Sequence, residues 1–180
     1  MGCYSKPDQV PTRRFKRIGK FFYPVRAPRM RHPEIDYSHP ETISHVIFCT
    51  ANDQPVFANR ALALIAVGAI ATVRSQMHCR IYAYCILPDH IHLLVSPSGK
   101  GESVSDIVRV IKSEITHAFN ELGVGSLRWQ RSFYDHVLRE NERNPDAFEA
   151  LVAYILENPV RMGLVERAED YRFCGVIDHL

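Results

Sequence analysis

The chain lacks several features that would assign it to common protein classes. Its five cysteines are odd in number and form no CxxC pair, which argues against a disulfide framework or a cysteine zinc site. The longest apolar-rich stretch, residues 57–73, contains Asn59 and Arg60 and is too short to span a membrane. No secretion signal and no internal repeat are visible in the sequence. We therefore expect a cytoplasmic protein that does not contact a membrane.

Acidic residues are scarce at the start of the chain. The first 32 residues hold nine Lys and Arg against Asp8 alone, and six of the eleven prolines lie within the first 40 residues. This predicts a basic, proline-rich arm over residues 1–40, followed by a globular domain over residues 41–180. In the arm, cations alternate with Phe, a mixture that suits phosphate contacts and base stacking, although a solubilising tail is the alternative. The candidate DNA contacts there are Arg13, Arg14, Lys16 and Arg17.

The rest of the chain alternates between two hydrophobic periodicities, and its 46% hydrophobic content is enough for a full core. Runs rich in β-branched residues predict strands, and longer runs with apolar residues on one helical face predict helices. The predicted elements are, in order, strand 44–50, helix 56–78, strands 80–87 and 90–97, helix 103–122, strand 133–140 and helix 145–157. The order predicts an α+β fold: a ferredoxin-like βαββαβ antiparallel sheet with helices on one face, plus an additional C-terminal helix.

Two histidines interrupt an apolar run in "CILPDHIHLLVS", residues 85–96. In a strand, residues i and i+2 point to the same face, so His90 and His92 should project side by side and could share a ligand. The alternative is a pair of hydrogen-bonded histidines with no ligand, which is common for so short a motif. A divalent ion acting on phosphate would need a further oxygen donor and open coordination positions.

The last predicted helix carries candidates for both the missing ligand and a nucleophile. In "AYILENP", Tyr154 and Asn158 are four residues apart and therefore project to nearly the same side of a helix. A phenol beside a metal could attack phosphorus. Glu157 competes with Asn158 as the third ligand, and the helical spacing leaves that choice open. As structural alternatives, Tyr154 is a half-buried helix residue and Asn158 a helix C-terminal residue ahead of Pro159.

Three blocks of the sequence resemble the REP-associated tyrosine transposases, which are single-tyrosine members of the HUH endonucleases. The blocks are "LPDHIHLLVSP", "RWQRSFYDHVLRE" and "LVAYILENPVRMGLVERAEDYRF", and the resemblance runs from about residue 42 to 175. It implies that His90 and His92 form the two-histidine motif, that Asn158 is the third ligand of Mg²⁺ or Mn²⁺, and that Tyr154 is the nucleophile. Glu157 then becomes a residue outside the coordination sphere.

The resemblance also implies an activity and a partner. The expected activity is metal-dependent nicking and rejoining of single-stranded DNA near palindromic, REP-type hairpins through a covalent 5′-phosphotyrosine intermediate. Two alternatives remain: a hairpin-binding protein that does not cleave, and a metal phosphoesterase that uses water, with Tyr154 only structural. The repeat-associated branch implies a monomer, with a dimer as the alternative.

Further cations in the globular domain are candidates for positioning DNA. Two arginines flank the single tryptophan in "LRWQR", where guanidinium groups could hold phosphates and the indole could stack on a base. The alternative is ordinary solvated charge around a core tryptophan. The candidates are Arg109, Lys112, Arg128, Trp129, Arg131 and Arg161.

Overall fold

The structure, a computed structural model, describes residues 15–18, 21–24 and 34–180. It divides into two compact units, Met1–Met30 and Arg31–Leu180. In the first unit, strands β1 (Phe15–Ile18) and β2 (Phe21–Pro24) pair antiparallel. A short hairpin therefore lies inside the predicted arm of residues 1–40. The predicted domain boundary at residue 40 stays a prediction.

The second unit is built on a five-stranded antiparallel sheet. Its strands are β3 (Ser44–Cys49), β4 (Arg80–Ile86), β5 (His90–Ser96), β6 (Tyr134–Val137) and β7 (Cys174–Val176). The spatial order is β6-β3-β5-β4-β7, with every neighbouring pair antiparallel. The first four strands in this order match the predicted ferredoxin-like sheet, which is confirmed. The short edge strand β7 is an addition that the sequence patterns did not predict.

Two long helices cover one face of the sheet. Helix α1 (Arg60–Met77) begins at Asn59, whose side chain accepts a hydrogen bond from the Ala61 backbone. Helix α2 (Val104–Glu121) begins at a capping box, in which Ser103 and Asp106 bond each other's backbone N–H. Apolar residues of both helices join β3, β4 and β5 in one continuous core, which includes Val46, Phe48, Ile70, Ile91, Leu93, Val95, Ile107, Ile111 and Ile115.

The opposite face of the sheet is covered by the C-terminal part of the chain. Helix α3 (Pro145–Leu156) starts at Asn144 and Pro145 as predicted, and a short helix α4 (Asn158–Arg161) follows after Glu157. Phe148 and Ile155 of α3 pack on a smaller core with Leu94 and other sheet residues. The extra C-terminal helix therefore lies across the sheet from α1 and α2. Strands β4 and β5 lie between the two cores and contribute to both, and every residue of β5 is buried.

Strand β7 brings two distant cysteines together. Cys174 lies directly opposite Cys85 in the β4–β7 register, and the two form a disulfide. The expectation that the cysteines form no disulfide framework is therefore wrong for this pair. The two cysteines are 89 residues apart in the sequence. They meet only because β7 pairs with β4 in this register, so the local spacing of cysteines does not indicate the disulfide. Among the described residues, Cys49 and Cys79 are free thiols.

In the part of the chain that the structure describes, no helix is both long enough and apolar enough to cross a membrane.

Candidate active site

The β4–β5 hairpin places two imidazoles side by side. The backbone N–H of Leu87 donates to the carbonyl of His90 (2.8 Å), closing a turn at Pro88 and Asp89. Alternation then sends Ile91 and Leu93 to the α1–α2 core, and His90 and His92 to the other face. Both histidines are buried, and their ring centroids lie 5.1 Å apart. His90 and His92 therefore project from the same face of β5, as the HxH spacing predicts.

His90 has a carboxylate partner in the turn. Its Nδ1 lies 2.6 Å from Oδ1 of Asp89, and an ionised carboxylate can only accept a hydrogen bond. The proton of neutral His90 therefore sits on Nδ1, and the lone pair sits on Nε2. A carboxylate behind an imidazole is a common way to orient a metal ligand and raise its basicity. No sequence motif indicates this role for Asp89.

His92 has a different partner, the imidazole of His45 on β3. Nε2 of His45 lies 3.0 Å from Nδ1 of His92, and the rings are stacked with centroids 5.3 Å apart. Nε2 of His92 is buried and makes no hydrogen bond to any described residue. A buried ring nitrogen without a partner is costly in an ordinary core, so its presence favours a ligand at this position.

Burial keeps the imidazoles of His45 and His92 neutral. Desolvation lowers the pKa of His45 to about 4, with a smaller contribution from His136. Desolvation also holds the pKa of His92 well below its usual value, and the neighbouring rings of His90 and His45 add to the effect. Neutral imidazole is the form that binds metal ions, so the site does not have to lose a proton first.

The ring of Tyr154 lies against this cluster. It makes edge contacts with His45 and His92, with centroid separations of 6.2 and 6.4 Å. The side chain remains 37% exposed, so it reaches solvent as well as the buried imidazoles. The guanidinium of Arg161 stacks on the same ring, 4.6 Å from its centroid. A phenol from α3, a cation from α4 and imidazoles from β3 and β5 therefore meet on one face of the sheet.

Asn158 has a structural task that its sequence context explains. Pro159 has no backbone N–H to donate to the carbonyl of Ile155, four residues earlier. The side-chain amide of Asn158 donates to that carbonyl (3.2 Å) and to the carbonyl of Tyr154 (2.8 Å). Both bonds use the amide nitrogen, which leaves Oδ1 as the atom for a metal. Asn158 is buried, whereas its rival Glu157 is exposed and pairs with Arg161 (3.3 Å).

The donor set suits a divalent ion with open coordination positions. Among the described residues, no three His, Cys, Asp or Glu side chains form a group that could hold a metal. A metal here would therefore have two imidazole ligands, His90 and His92, and would need an oxygen from Asn158, water or substrate. This mixture of nitrogen and oxygen donors fits Mn²⁺ readily and Mg²⁺ with more water. The orphaned Nε2 of His92 supports that fit.

Comparison with known proteins shows which family the chain belongs to. The family model described as "Transposase IS200 like" matches residues 38–158, which include the histidine pair, Tyr154 and Asn158. The chain belongs to this transposase family. The resemblance to REP-associated tyrosine transposases is also confirmed. The REP-associated tyrosine transposase of Escherichia coli (strain K12) is 31% identical over 105 residues. That match covers 58% of this chain and 59% of the relative, less than two thirds of the relative's length.

A solved structure shares the fold of this chain. It is a REP-associated tyrosine transposase bound to a REP hairpin, and the two chains superpose with a TM-score of 0.63. The comparison covers 80% of this chain and 82% of the other, at 24% sequence identity. At this identity the likeness establishes the architecture, an α+β fold with an antiparallel sheet.

The predicted DNA contacts in the second unit fall on both faces of the sheet. Arg161 lies beside Tyr154, as described above. Trp129 pairs with Thr50 at the end of β3 and packs on Phe48 and Phe57 of the α1–α2 core. Its indole N–H donates to Thr116 (3.0 Å) on α2. Trp129 is therefore largely a core residue, in line with the structural alternative considered for it.

The remaining candidates surround Trp129 or lie on α2. Arg128 and Arg131 are exposed. Lys112 donates to the carbonyl of Gln130 (3.2 Å) and sits near the rings of Phe48 and Trp129. Arg109 pairs with Asp106 (3.3 Å). A groove of about 420 Å³ on α2 is lined by Arg109, Lys112, Ser113, Thr116, His117, Asn120 and Trp129.

Four candidates lie in the N-terminal arm. Arg13 and Arg14 fall outside the described residues, and for Lys16 and Arg17 the structure describes only the backbone of β1. Their expected role in binding DNA stays a prediction.

No sequence motif indicates a role for His45. In the β3–β5 pair, His45 lies opposite Leu94, and residues opposite each other project from the same face. Leu94 shares its face of β5 with His90 and His92, so His45 lies on that face as well. That pairing was the signal that could have found it, because neighbouring strands of a ferredoxin-like sheet are fixed by the topology.

Proposed function

We propose that this protein nicks and rejoins single-stranded DNA near palindromic hairpins, with Tyr154 as the nucleophile and a divalent metal at His90 and His92. The observation that carries the proposal is the contact between the Tyr154 ring and His92 within one chain, with centroids 6.4 Å apart. Membership of a transposase family and the fold shared with a hairpin-bound relative support the choice of substrate.

Each group in the cluster has a chemical task in this proposal. His90 and His92, with Asn158 as the candidate third ligand, would hold Mg²⁺ or Mn²⁺. A bound ion of this kind acts as a Lewis acid on phosphoryl oxygens. Tyr154 supplies the attacking oxygen, and its 37% exposure lets a phosphate approach it from solvent. Arg161, stacked on that ring, supplies a positive charge for the phosphate diester.

The strand-cleavage step balances without any further reagent. The phenol oxygen of Tyr154 forms a bond to phosphorus, the bond from phosphorus to the 3′-oxygen breaks, and the proton lost by the phenol is matched by one taken up at the 3′-oxygen. The product is a 5′-phosphotyrosine ester and a free 3′-hydroxyl. A second 3′-hydroxyl can attack the same ester and restore a phosphodiester, which direct hydrolysis by water would prevent.

The test is formation of a covalent adduct. Full-length protein is incubated with Mn²⁺ and a hairpin oligonucleotide carrying a 5′ single-stranded extension and a 3′ label, and the products are separated under denaturing conditions. Tyr154→Phe should abolish the labelled protein band. Tyr134→Phe is the matched control, because Tyr134 lies opposite Ile47 on the histidine face yet belongs to β6, and the band should persist.

Each rival function has its own outcome in the same experiment. Cleavage that continues in Tyr154→Phe without an adduct would favour a phosphoesterase that uses water. Hairpin binding with no cleavage in the wild type, at any Mn²⁺ or Mg²⁺ level, would favour a DNA-binding protein that has lost strand transfer. An adduct that survives Tyr154→Phe and disappears in Tyr134→Phe would show that Tyr134, and not Tyr154, is the nucleophile.

We further propose that one chain is sufficient for cleavage. Tyr154 and His92 of the same chain are in contact, so no second copy is needed to bring phenol and imidazoles together. Mixing Tyr154→Phe protein with His92→Ala protein should therefore give no adduct. Restored adduct formation in the mixture would mean that the α3 helix is exchanged between subunits.

A further inference from the structure

The hydrogen bond between His45 and His92 must contain one proton. Nε2 of His45 and Nδ1 of His92 are 3.0 Å apart, and two bare lone pairs at that distance would repel each other. Either His92 donates through Nδ1, or His45 donates through Nε2. A neutral imidazole carries one hydrogen, on either of its two nitrogens. The direction of this bond therefore determines whether Nε2 of His92 carries the hydrogen or the lone pair.

The two directions have opposite consequences for Nε2 of His92. If His45 donates, Nδ1 of His92 carries the lone pair and Nε2 carries a hydrogen. That N–H would be buried without an acceptor among the described residues, and it could not bind a metal. If His92 donates, Nε2 carries the lone pair and is ready to act as a ligand.

We propose that His45 is a positioning residue that accepts the Nδ1 hydrogen of His92 and thereby presents Nε2 of His92 to the metal ion. The inference rests on the proposed metal site but concerns a residue outside the histidine motif. His45 is held in place by β3: its backbone lies opposite Leu94 of β5 on one side and His136 of β6 on the other. From there its ring stacks on His92 and meets the edge of Tyr154.

The partner of the other motif histidine supports this assignment. Asp89 accepts from Nδ1 of His90, so that ring also presents Nε2. The Nδ1 atoms of both rings are already engaged, by Asp89 and by His45, so Nε2 is the nitrogen that each ring has left for a shared ion. The hydrogen-bond partners of the two rings differ in charge, since His90 bonds to a carboxylate, Asp89, and His92 bonds to an imidazole, His45. An anionic partner makes an imidazole a stronger donor, so His90 should be the stronger ligand and His92 the one more easily lost.

Two substitutions separate the acceptor from the shape of the ring. His45→Gln keeps an acceptor, because the side-chain oxygen of glutamine reaches about as far as Nε2 of histidine. His45→Phe keeps a flat ring and removes the acceptor. His117→Phe is the control for loss of one imidazole, because His117 is an exposed residue of α2 on the other face of the sheet. Thermal unfolding monitored by circular dichroism identifies any variant that fails to fold.

The first readout is Mn²⁺ affinity, measured from the electron paramagnetic resonance signal of free Mn²⁺ in a titration of full-length protein. His45→Phe should weaken binding by about 10- to 100-fold, the usual effect of removing a partner behind a metal ligand. His45→Gln should recover most of that loss, and His117→Phe should match the wild type. Equal losses in the Gln and Phe variants, with folding intact, would overturn the proposal, as would full affinity in His45→Phe.

The second readout needs no metal and separates failure of this inference from failure of the proposed function. Nitrogen NMR shifts of the His92 ring in metal-free protein report its tautomer. The wild type and His45→Gln should show a hydrogen on Nδ1, and His45→Phe should lose that preference. If the wild type binds no Mn²⁺ beyond a His92→Ala background, the metal site fails, yet these shifts still test His45. A wild-type His92 with its hydrogen on Nε2 would overturn the proposal.

Discussion

The two faces of strand β5 differ in what they bury. Ile91, Leu93 and Val95 enter the core beneath α1 and α2, while His90 and His92 lie on the face toward α3. Both sets are buried, so exposure alone does not distinguish them. One face excludes water from apolar side chains. The other excludes water from ring nitrogens, a costly arrangement unless each nitrogen has a partner or a ligand.

The difference shows how one strand can support stability and chemistry together. Burying an aliphatic side chain stabilises the fold by about 1.5–3 kcal/mol, whereas burying an imidazole contributes little unless its hydrogen bonds are complete. The α1–α2 face anchors β5 and fixes its register. That rigid register is what holds His90 and His92 next to each other and opposite α3. Substitutions on the two faces should therefore separate stability from activity.

The largest expected effect is the loss of activity in His92→Leu. Under the proposed function, this change removes a metal ligand and with it several kcal/mol of charge stabilisation, so the rate of adduct formation should fall by at least about 10³-fold. The free energy of unfolding should change far less, because leucine recovers apolar burial while His45 loses its partner. Single-turnover adduct formation and urea unfolding measure the two quantities. A large loss of stability with activity retained would mean that the histidine face of β5 serves stability rather than activity.

The next effect is the loss of stability in Leu93→Ala, on the other face of the same strand. Leu93 is fully buried in the α1–α2 core, and such a truncation lowers the free energy of unfolding by about 2–5 kcal/mol. Adduct formation should persist at temperatures where the variant is folded. Leu64→Ala is the matched control, because Leu64 on α1 is 57% exposed and its loss should cost little.

The contrast between the faces also explains what the sequence could predict. Runs of β-forming residues located β3, β4 and β5, and the turn at Pro88 and Asp89 defined the hairpin. The length of its apolar run located α1, and apolar residues on one helical face located α2 and α3. Those signals are local, since they depend on neighbouring residues. The side-by-side placement of His90 and His92 followed from alternation alone. The approach of Tyr154 followed from the family resemblance rather than from any local pattern.

The parts that sequence reasoning missed all depend on pairing between distant strands. His45 contacts His92 because β3 lies beside β5, and Cys85 meets Cys174 because β7 adds to the edge of β4. Strand β7 has three residues, including Gly175, so it carries almost no periodic signal. Trp129 was considered as a stacking platform, but its ring completes the core with Phe48 and Phe57. A single aromatic between two arginines does not indicate which face it occupies.

A smaller effect is expected from acid, and it should arise on the histidine face. The pKa of His45 is about 4 in the folded protein, against about 6.5 in an unfolded chain. Between these values the unfolded state binds more protons, so the free energy of unfolding falls as the pH falls. The loss from His45 alone is roughly 3 kcal/mol by pH 4. Burial lowers the pKa of His92 too, which adds to the loss in the same direction.

Urea unfolding of metal-free protein at about pH 7 and about pH 4.5 measures this loss. The double variant His45→Phe/His92→Leu should flatten the profile, because it removes both buried titrating rings. Carboxylates with lowered pKa values, such as Asp106 and Asp178, lose their contribution at lower pH and should not mask the difference. A profile that stays equally steep in the double variant would show that the acid sensitivity arises elsewhere.

The smallest effect concerns the cations on the two faces. Arg161 stacks on Tyr154, whereas Arg109 lies on α2 across the sheet. If DNA approaches the phenol from solvent, Arg161→Gln should lower the slope of log affinity against log salt by about 1, because one phosphate contact is lost. Arg109→Gln should leave the slope unchanged unless the strand also crosses the α2 groove. Fluorescence anisotropy of labelled hairpin DNA distinguishes these cases when it is measured over a range of NaCl concentrations. All variants carry Tyr154→Phe as well, which prevents cleavage during the titration. Equal slope changes for both variants would mean that the two faces share the DNA, and that the division found for β5 does not extend to the surface.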